Sequence, residues 1–227
     1  MSDHRLIRML GPAGLAILVL LFVGFGALSG NSPGENASGA SVVAFYRAHA
    51  TDAYASLWCI AVAMGLLVFF GVVLRARLQE ALSGNGVLPT VAFAGTLLLA
   101  AGVLAMGLIH EALVAAAHNN QAAIARTLNF VDSNETVALE FGVAVITLAT
   151  GASIVARSSL PRWLGWLSLL IGVVACLGDI GWMGVLAFGI WLPVAGFVIG
   201  RRRATTGDAE RVGVLSTPLS GQTAGAL

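Results

Sequence analysis

Five ionisable side chains fall near one end of the apolar segments of this sequence and could together form a ligand site. Glu140 lies inside an apolar segment, and the adjacent pair His110 and Glu111 ends another. Asp179 ends a third segment, and His49 precedes a fourth. Carboxylate oxygens and imidazole nitrogens form hydrogen bonds, titrate and coordinate divalent cations. Because ionisable groups are costly inside a bilayer, we expect these residues to mark a binding site.

Glu140 is the acidic residue that we place deepest in an apolar segment. With a rise of ~1.5 Å per residue, it lies roughly 6 Å below a segment start at Thr136. A buried carboxylate must be protonated or paired, since an isolated buried charge is unstable. We therefore expect Glu140 to face the interior and to approach His110 within hydrogen-bond or one-water reach. This pocket is expected under residues 41–50, with Asp179 at its rim.

Several of the polar residues also have a purely structural interpretation. Asp132 and Glu135 match a capping box, and Asp179 beside a helix turn is suited to an N-cap. The sequence contains no His-x-x-x-His or His-Glu-x-x-His pattern, no Cys-x-x-Cys pair and no phosphate-binding loop. Catalytic residues, metal ligands and cofactors are therefore not assigned by spacing.

The composition determines the class of protein. Apolar residues make up 58% of the 227 residues, charged residues make up 10%, and all 12 basic residues are Arg. Soluble domains have about 25% charged residues. A net charge of +1 and two Cys argue against a nucleic-acid-binding protein and a disulfide scaffold. The sequence predicts an all-α polytopic membrane protein in contact with the lipid bilayer.

Six segments approach the ~20 apolar residues that a membrane span requires. They are 12–29, 53–74, 89–111, 136–156, 162–179 and 182–200. With both termini in the cytoplasm, the inner side carries ten Arg residues and the outer side carries two, Arg47 and Arg126. This asymmetry predicts a six-helix bundle, N-in and C-in. The absence of Lys and the bias towards Ala, Gly, Val and Arg suggest a GC-rich bacterial genome, and hence a bacterial inner membrane. The transmembrane domain is expected over 1–203, and a disordered cytoplasmic tail over 204–227.

The first segment has an alternative interpretation as a cleaved signal peptide. Arg5 and Arg8 precede its apolar run, and Ala27-Leu28-Ser29 resembles a cleavage site. Cleavage would leave five spans with the remaining Arg residues still inside.

Two outer loops are longer than a connection needs. Residues 41–50 and 121–130 in these loops read as short, partly apolar helices that cap the bundle. Small residues at helical spacing predict close packing between spans. These stripes are Gly165, Ser168, Gly172, Ala175 and Asp179; Gly189, Pro193, Gly196 and Gly200; and Glu140, Ala144, Thr147 and Gly151.

The fifth segment begins with Leu-Pro-Arg-Trp-Leu-Gly-Trp at residues 160–166 and continues as a Gly-bearing span to Val173. This motif, the outer helical loop and the basic inner terminus resemble small bacterial six-span membrane proteins of unknown function. The resemblance covers roughly residues 10–203. It implies a fold and a location, and it assigns no activity and no site residues.

Three classes of function remain open from the sequence. The leading one is a non-enzymatic bundle that binds a small molecule, a lipid or a membrane-protein partner in a polar pocket of the outer leaflet. The second is a membrane-embedded, metal-assisted hydrolase, which requires His110, Glu140 and Asp179 to converge. The third is a small transporter, although the inner halves of the spans lack charge.

Overall fold

The structure, a computed structural model, describes residues 7–29, 31–82, 86–134, 136–157 and 159–215, with side chains as far as Gly200 except that of Arg157. Within these ranges the regular structure is entirely helical. The helices are α1 Leu10–Leu21, α2 Gly39–Ala48, α3 Ala50–Ala81, α4 Val87–His118, α5 Ala122–Asn134, α6 Val137–Arg157, α7 Arg162–Ala175 and α8 Gly181–Leu215. A π-helical turn at Phe22–Leu28 continues α1, and a 3-10 turn at Gly178–Ile180 precedes α8.

Five stretches are long and apolar enough to cross a membrane, which indicates a multi-pass membrane protein. They are Leu10–Leu28, Ala50–Ala81, Val87–His118, Ala122–Ala156 and Gly178–Gly200. The third stretch is longer than predicted. Its helix continues to His118 instead of ending near residue 111. At 32 residues, α4 is about 48 Å long and exceeds the ~30 Å apolar thickness of a bilayer.

The fifth predicted span, 162–179, is shorter than expected. Its helix α7 has 14 residues and ends at Ala175, so it measures about 21 Å. Gly178 follows with a φ of 57°, a left-handed conformation that glycine adopts without steric cost. The expected turn between the last two segments is therefore present, but α7 by itself does not reach the length of a full span.

Six of the described helices form a closed ring, with α1 counted together with its π-helical end. Neighbours around the ring are α1, α3, α4, α6, α7 and α8, and α8 packs back against α1. Trp191 on α8 is 1% exposed and lies 5.6 Å from Phe188 and 6.4 Å from Phe70 between ring centroids. Its indole N–H donates to Ser168 Oγ at 2.9 Å, so this polar atom is satisfied inside the core.

The predicted stripes of small residues lie at helix contacts. A Cβ on Gly196 would meet the Leu10 carbonyl oxygen at 2.5 Å, and one on Gly151 would meet the Gly165 carbonyl oxygen at 2.7 Å. These backbones approach each other as small-residue interfaces in membranes do. Asp179 is the exception in its stripe, because it is exposed in the turn before α8.

Helices α2 and α5 form a cap at one end of the ring, as predicted from residues 41–50 and 121–130. They pack on each other and on the last turns of α4. This cap has a small core of its own, made of Val42, Val43, Tyr46, Ala53, Leu113, Val114, Ala116, Ala117 and Ala125. The extra length of α4 therefore provides the surface on which the cap folds.

At the other terminus, helical backbone of α8 continues to Leu215. The boundary expected at residue 203 thus falls inside this helix. The disordered tail expected over 204–227 stays a prediction, and its residues 216–227 lie outside the described part of the chain.

Candidate functional site: a pocket beneath the cap

A pocket of about 440 Å³ lies where the π-helical end of α1 meets α3 and α4, beneath the cap. Its apolar side includes Trp58, Leu104 and Leu108, which are 73%, 48% and 68% exposed on the outer surface of the ring. In a bilayer this side faces lipid. The polar lining residues are Ser29, Ser32, Tyr54, Ser56, His110, Glu111, Asp132 and Ser133. The pocket therefore has a lipid-facing apolar side and a polar end.

The π-helical turn brings α1 into contact with α3 at the polar lining. Ser56 Oγ donates to the Gly24 carbonyl oxygen at 3.0 Å. Ser29 Oγ lies 3.0 Å from Ser56 Oγ and must donate this bond, since Ser56 has already used its proton. Gly24 allows this close approach, since a Cβ there would lie 2.8 Å from the Ile60 side chain and would have to displace it. π-Helical turns of this kind occur often at functional sites.

An imidazole–carboxylate pair lies at the polar end of the pocket. His110 Nδ1 lies 3.0 Å from Asp132 Oδ2, with the two side chains 14% and 21% exposed. A carboxylate only accepts hydrogen bonds, so Nδ1 carries the hydrogen. Among the described residues, His110 Nε2 is buried and has no hydrogen-bond partner.

Tyr46 joins the cap to this pair. It is 2% exposed, and its ring meets the His110 ring edge to face, with centroids 5.5 Å apart. Burial and then the negative charge of Asp132 raise the pKa of the Tyr46 phenol far above its usual value. Tyr46 is therefore neutral at physiological pH, and it fixes the orientation of the imidazole by packing. Tyr46 contacts His110, but no residue of the 41–50 helix lines the pocket.

Glu140, which was expected in the same pocket, lies elsewhere. On α6 it falls between Ala138, which packs against Gly102, and Gly142, which packs against Leu99. Its level along α4 is therefore the middle of that helix and not the end.

The predicted hydrogen bond between Glu140 and His110 is wrong. His110 lies at least eight residues beyond the level of Glu140 on α4, which is about 12 Å along the axis. The Glu140 carboxyl instead packs on α8, where a Cβ on Gly181 would lie 2.7 Å from Glu140 Cδ. Glu140 does face a neighbouring helix, as expected, but it is not among the residues that line the pocket.

The other predicted site residues divide between the pocket and the surface. Glu111 lines the pocket with an exposed side chain. Asp179 is exposed in the 3-10 turn, and His49 is exposed, stacked on Phe45 at 4.4 Å between ring centroids. Neither of these two lines the pocket. Of the five predicted residues, the structure brings together only His110 and Glu111.

The described part of the chain contains no group of three His, Cys, Asp or Glu side chains that could hold a metal ion. The convergence of His110, Glu140 and Asp179 that a metal-assisted hydrolase requires is not formed, because Glu140 and His110 lie at different levels of the bundle.

Sequence reasoning missed six polar residues of the lining, which are Ser29, Ser32, Tyr54, Ser56, Asp132 and Ser133, and it also missed Tyr46, which packs on His110. Asp132 matched a capping box, but it lies inside α5 and not at a helix start, and Glu135 is outside the described residues. Residues 41–50 were predicted only as a partly apolar cap helix, which gave Tyr46 no role at the site. One sequence signal could have placed Asp132 against α4. Residues 122–134 are amphipathic, and Asp132 lies on the same helix face as the buried Ala125.

Comparison of the chain with protein-family models, with curated proteins and with solved structures gives no match. The resemblance carried by residues 160–173 stays a prediction.

Proposed function

We propose that this multi-pass membrane protein is a non-enzymatic helix bundle whose pocket beneath the cap binds an amphipathic small molecule or lipid from the bilayer. One observation carries the proposal. The same pocket has an apolar side of lipid-facing residues, such as Leu104 and Leu108, and a polar end that contains the His110–Asp132 pair. Ligand pockets are commonly apolar with a few placed polar groups, and this pocket lies in their usual range of volume.

The membrane arrangement that goes with this function has six spans and both termini in the cytoplasm of a bacterium. The distribution of Arg residues supports it, since only Arg47 and Arg126 belong to the cap end. Trp163 and Trp166, exposed by 52% and 61%, are suited to anchor α7 at the opposite interface. The pocket then belongs to the outer leaflet. Reporter fusions after Ala81 and after Asn120 test this, with Ala81 expected inside and Asn120 outside; the reverse result would contradict it.

Helix α1 belongs to the functional protein in this proposal and is not a cleaved signal peptide. It closes the ring against α8 and contributes Phe25 and Ser29 to the pocket. The intact mass of the purified protein tests this, and a mass that lacks residues 1–29 would refute it.

Filling the pocket tests the binding function. Gly107 lines the pocket, and a Cβ there would lie 3.4 Å from Leu57 Cδ2, an ordinary contact, so the helix tolerates a side chain at this position. We expect Gly107→Phe to displace the ligand. Gly65→Phe is the matched control, because a Cβ on Gly65 meets nothing within 4 Å.

The measurement is native mass spectrometry of the protein extracted from membranes in a mild non-ionic detergent. The expected result is a retained amphiphile in the wild type and in Gly65→Phe, and its loss from Gly107→Phe. Equal adducts in all three proteins, or none in any, would refute a ligand pocket at this place.

A further inference from the structure

Resting on the proposed function, we infer that the pocket selects a lipophilic organic cation, such as a protonated or quaternary ammonium group carried on an apolar body. The inference comes from three properties of the lining: its charge, its hydrogen-bonding character and its aromatic rings. It concerns the chemistry of the ligand and not only the presence of one.

The charge of the lining is negative. Glu111 and Asp132 contribute carboxylates, and none of the described residues that line the pocket is an Arg or Lys. Of the two Arg residues at this end, Arg47 donates to Asn120 Oδ1 at 2.8 Å and is not part of the lining. The Asp132 carboxylate is only 21% exposed, so it is poorly screened by water. An anionic head group would be repelled here.

Four polar groups of the lining have already used their own protons on acceptors within the protein. Ser56 donates to the Gly24 carbonyl and Ser29 donates to Ser56. Ser133 Oγ donates to the Asn129 carbonyl at 2.8 Å, and His110 uses its Nδ1–H on Asp132. The hydroxyl oxygens of Ser29 and Ser133 can therefore only accept a hydrogen bond from a ligand. Acceptor groups of this kind interact favourably with a positively charged head group.

Three aromatic side chains, Phe25, Tyr54 and Trp58, complete the lining. Tyr54 and Trp58 are four residues apart on α3 and therefore lie on the same face of the helix. The faces of aromatic rings attract cations, with the strongest attraction for Trp. The same rings and Leu104 accept the apolar body of the ligand. A pocket that combines carboxylates with aromatic rings and opens towards lipid therefore fits a lipophilic cation better than a neutral lipid.

Tetraphenylphosphonium and tetraphenylborate test this inference, because they match in size and shape and carry opposite charge. Triphenylphosphine oxide serves as the neutral relative. Equilibrium dialysis against the full chain in non-ionic detergent should give saturable binding of the cation and none of the anion. We expect Asp132→Asn to weaken cation binding about tenfold and Glu111→Gln about threefold.

Two matched controls lie at the same end of the bundle outside the pocket lining. Asp52→Asn controls for Asp132→Asn, and Glu35→Gln controls for Glu111→Gln; both should bind the cation as the wild type does. Because Asp132 also holds His110, loss of the fold in Asp132→Asn is checked by thermal unfolding. Glu111→Gln is then the deciding variant. The Glu111 side chain is exposed and makes none of the hydrogen bonds described, so its substitution should not affect folding.

The outcomes separate the inference from the proposed function. Suppose that the wild type binds cation, anion and neutral probe equally, and that Gly107→Phe loses all three. That result would overturn the selection of cations and leave the amphiphile pocket intact. Undiminished cation binding in Glu111→Gln and in folded Asp132→Asn would also overturn it. Binding of no probe, together with no adduct in native mass spectrometry, would overturn both.

Discussion

Nδ1 of His110 on α4 lies 3.0 Å from Oδ2 of Asp132 on α5, so one hydrogen bond joins the ring of apolar helices to its cap. Tyr46 on α2 packs against the same imidazole. The two cap helices thus meet on one side chain at the polar end of the pocket. The integrity of the cap and the shape of the pocket are therefore coupled through His110.

This coupling predicts a non-additive effect on stability. His110→Ala and Asp132→Ala should each destabilise the protein, because each leaves the other polar group partly buried without its partner. The double variant should lose less than the sum, with a coupling free energy of about 1–3 kcal/mol. Thermal or denaturant unfolding in detergent measures the cycle. Strict additivity would show that the pair contributes no interaction.

The raised pKa of Tyr46 predicts that the folded protein loses stability at alkaline pH. Its pKa is raised in the folded state by burial and by the charge of Asp132, whereas the unfolded phenol ionises near its ordinary value of about 10. The folded state therefore holds more protons above that pH, and the free energy of unfolding falls as pH rises. Below about pH 9 this contribution is complete.

Unfolding measured from pH 8 to 11 checks this prediction, with Tyr46→Phe as the comparison. The alkaline loss should be smaller in the variant. In addition, absorbance titration of the folded wild type should contain a late-ionising phenol that Tyr46→Phe removes. An identical alkaline loss in both proteins would contradict the assignment.

Close packing between α4 and α6 predicts that substitutions of two glycines will change the stability of the protein to very different degrees. A Cβ on Gly142 would lie 2.7 Å from Leu99 Cβ and 2.8 Å from Leu99 Cα, so Gly142→Leu must separate the helices. Overpacking of this kind costs about 1–3 kcal/mol or more. Gly65→Leu, with nothing within 4 Å, should unfold at the wild-type temperature. Similar melting temperatures of the two variants would exclude the described helix contact.

The sequence predicted that Glu140 belongs to the binding pocket, and its observed position predicts instead that it does not contribute to ligand binding. Because its carboxyl packs on Gly181 and not on the pocket, Glu140→Gln should leave ligand binding unchanged. The dialysis assay with tetraphenylphosphonium measures this beside Glu111→Gln. A loss of binding in Glu140→Gln equal to that in Glu111→Gln would place Glu140 in the pocket after all.

Hydropathy and helical spacing predicted the helices and their contacts because these depend on local composition. The two cap helices and the small-residue faces of α6, α7 and α8 follow from the sequence in this way. The ends of α4 and α7 did not follow. The helix α4 continues past residue 111 because residues 113–117 pack on the cap, and α7 ends at Ala175, three residues before the left-handed Gly178.

The site was only partly predictable, since it depends on the relative levels of separate helices. His110 and Glu111 could be found as ionisable residues near the end of an apolar segment. The partner of His110 could not, because the level of Glu140 on α4 is determined by the contact of Gly142 with Leu99. Asp132 carried a local capping pattern, and only the packing of α5 on α4 gives it another role.

The most direct test of the central claim is photocross-linking inside the membrane, with benzoylphenylalanine in place of Met106, which lines the pocket. The control has the same residue in place of Leu186, which is 60% exposed on α8 and is not part of the lining. Mass spectrometry then identifies the attached molecules. We predict a small, distinct set of amphiphiles at position 106 and the bulk phospholipids at position 186. The same bulk phospholipids at both positions would contradict a ligand-selective pocket.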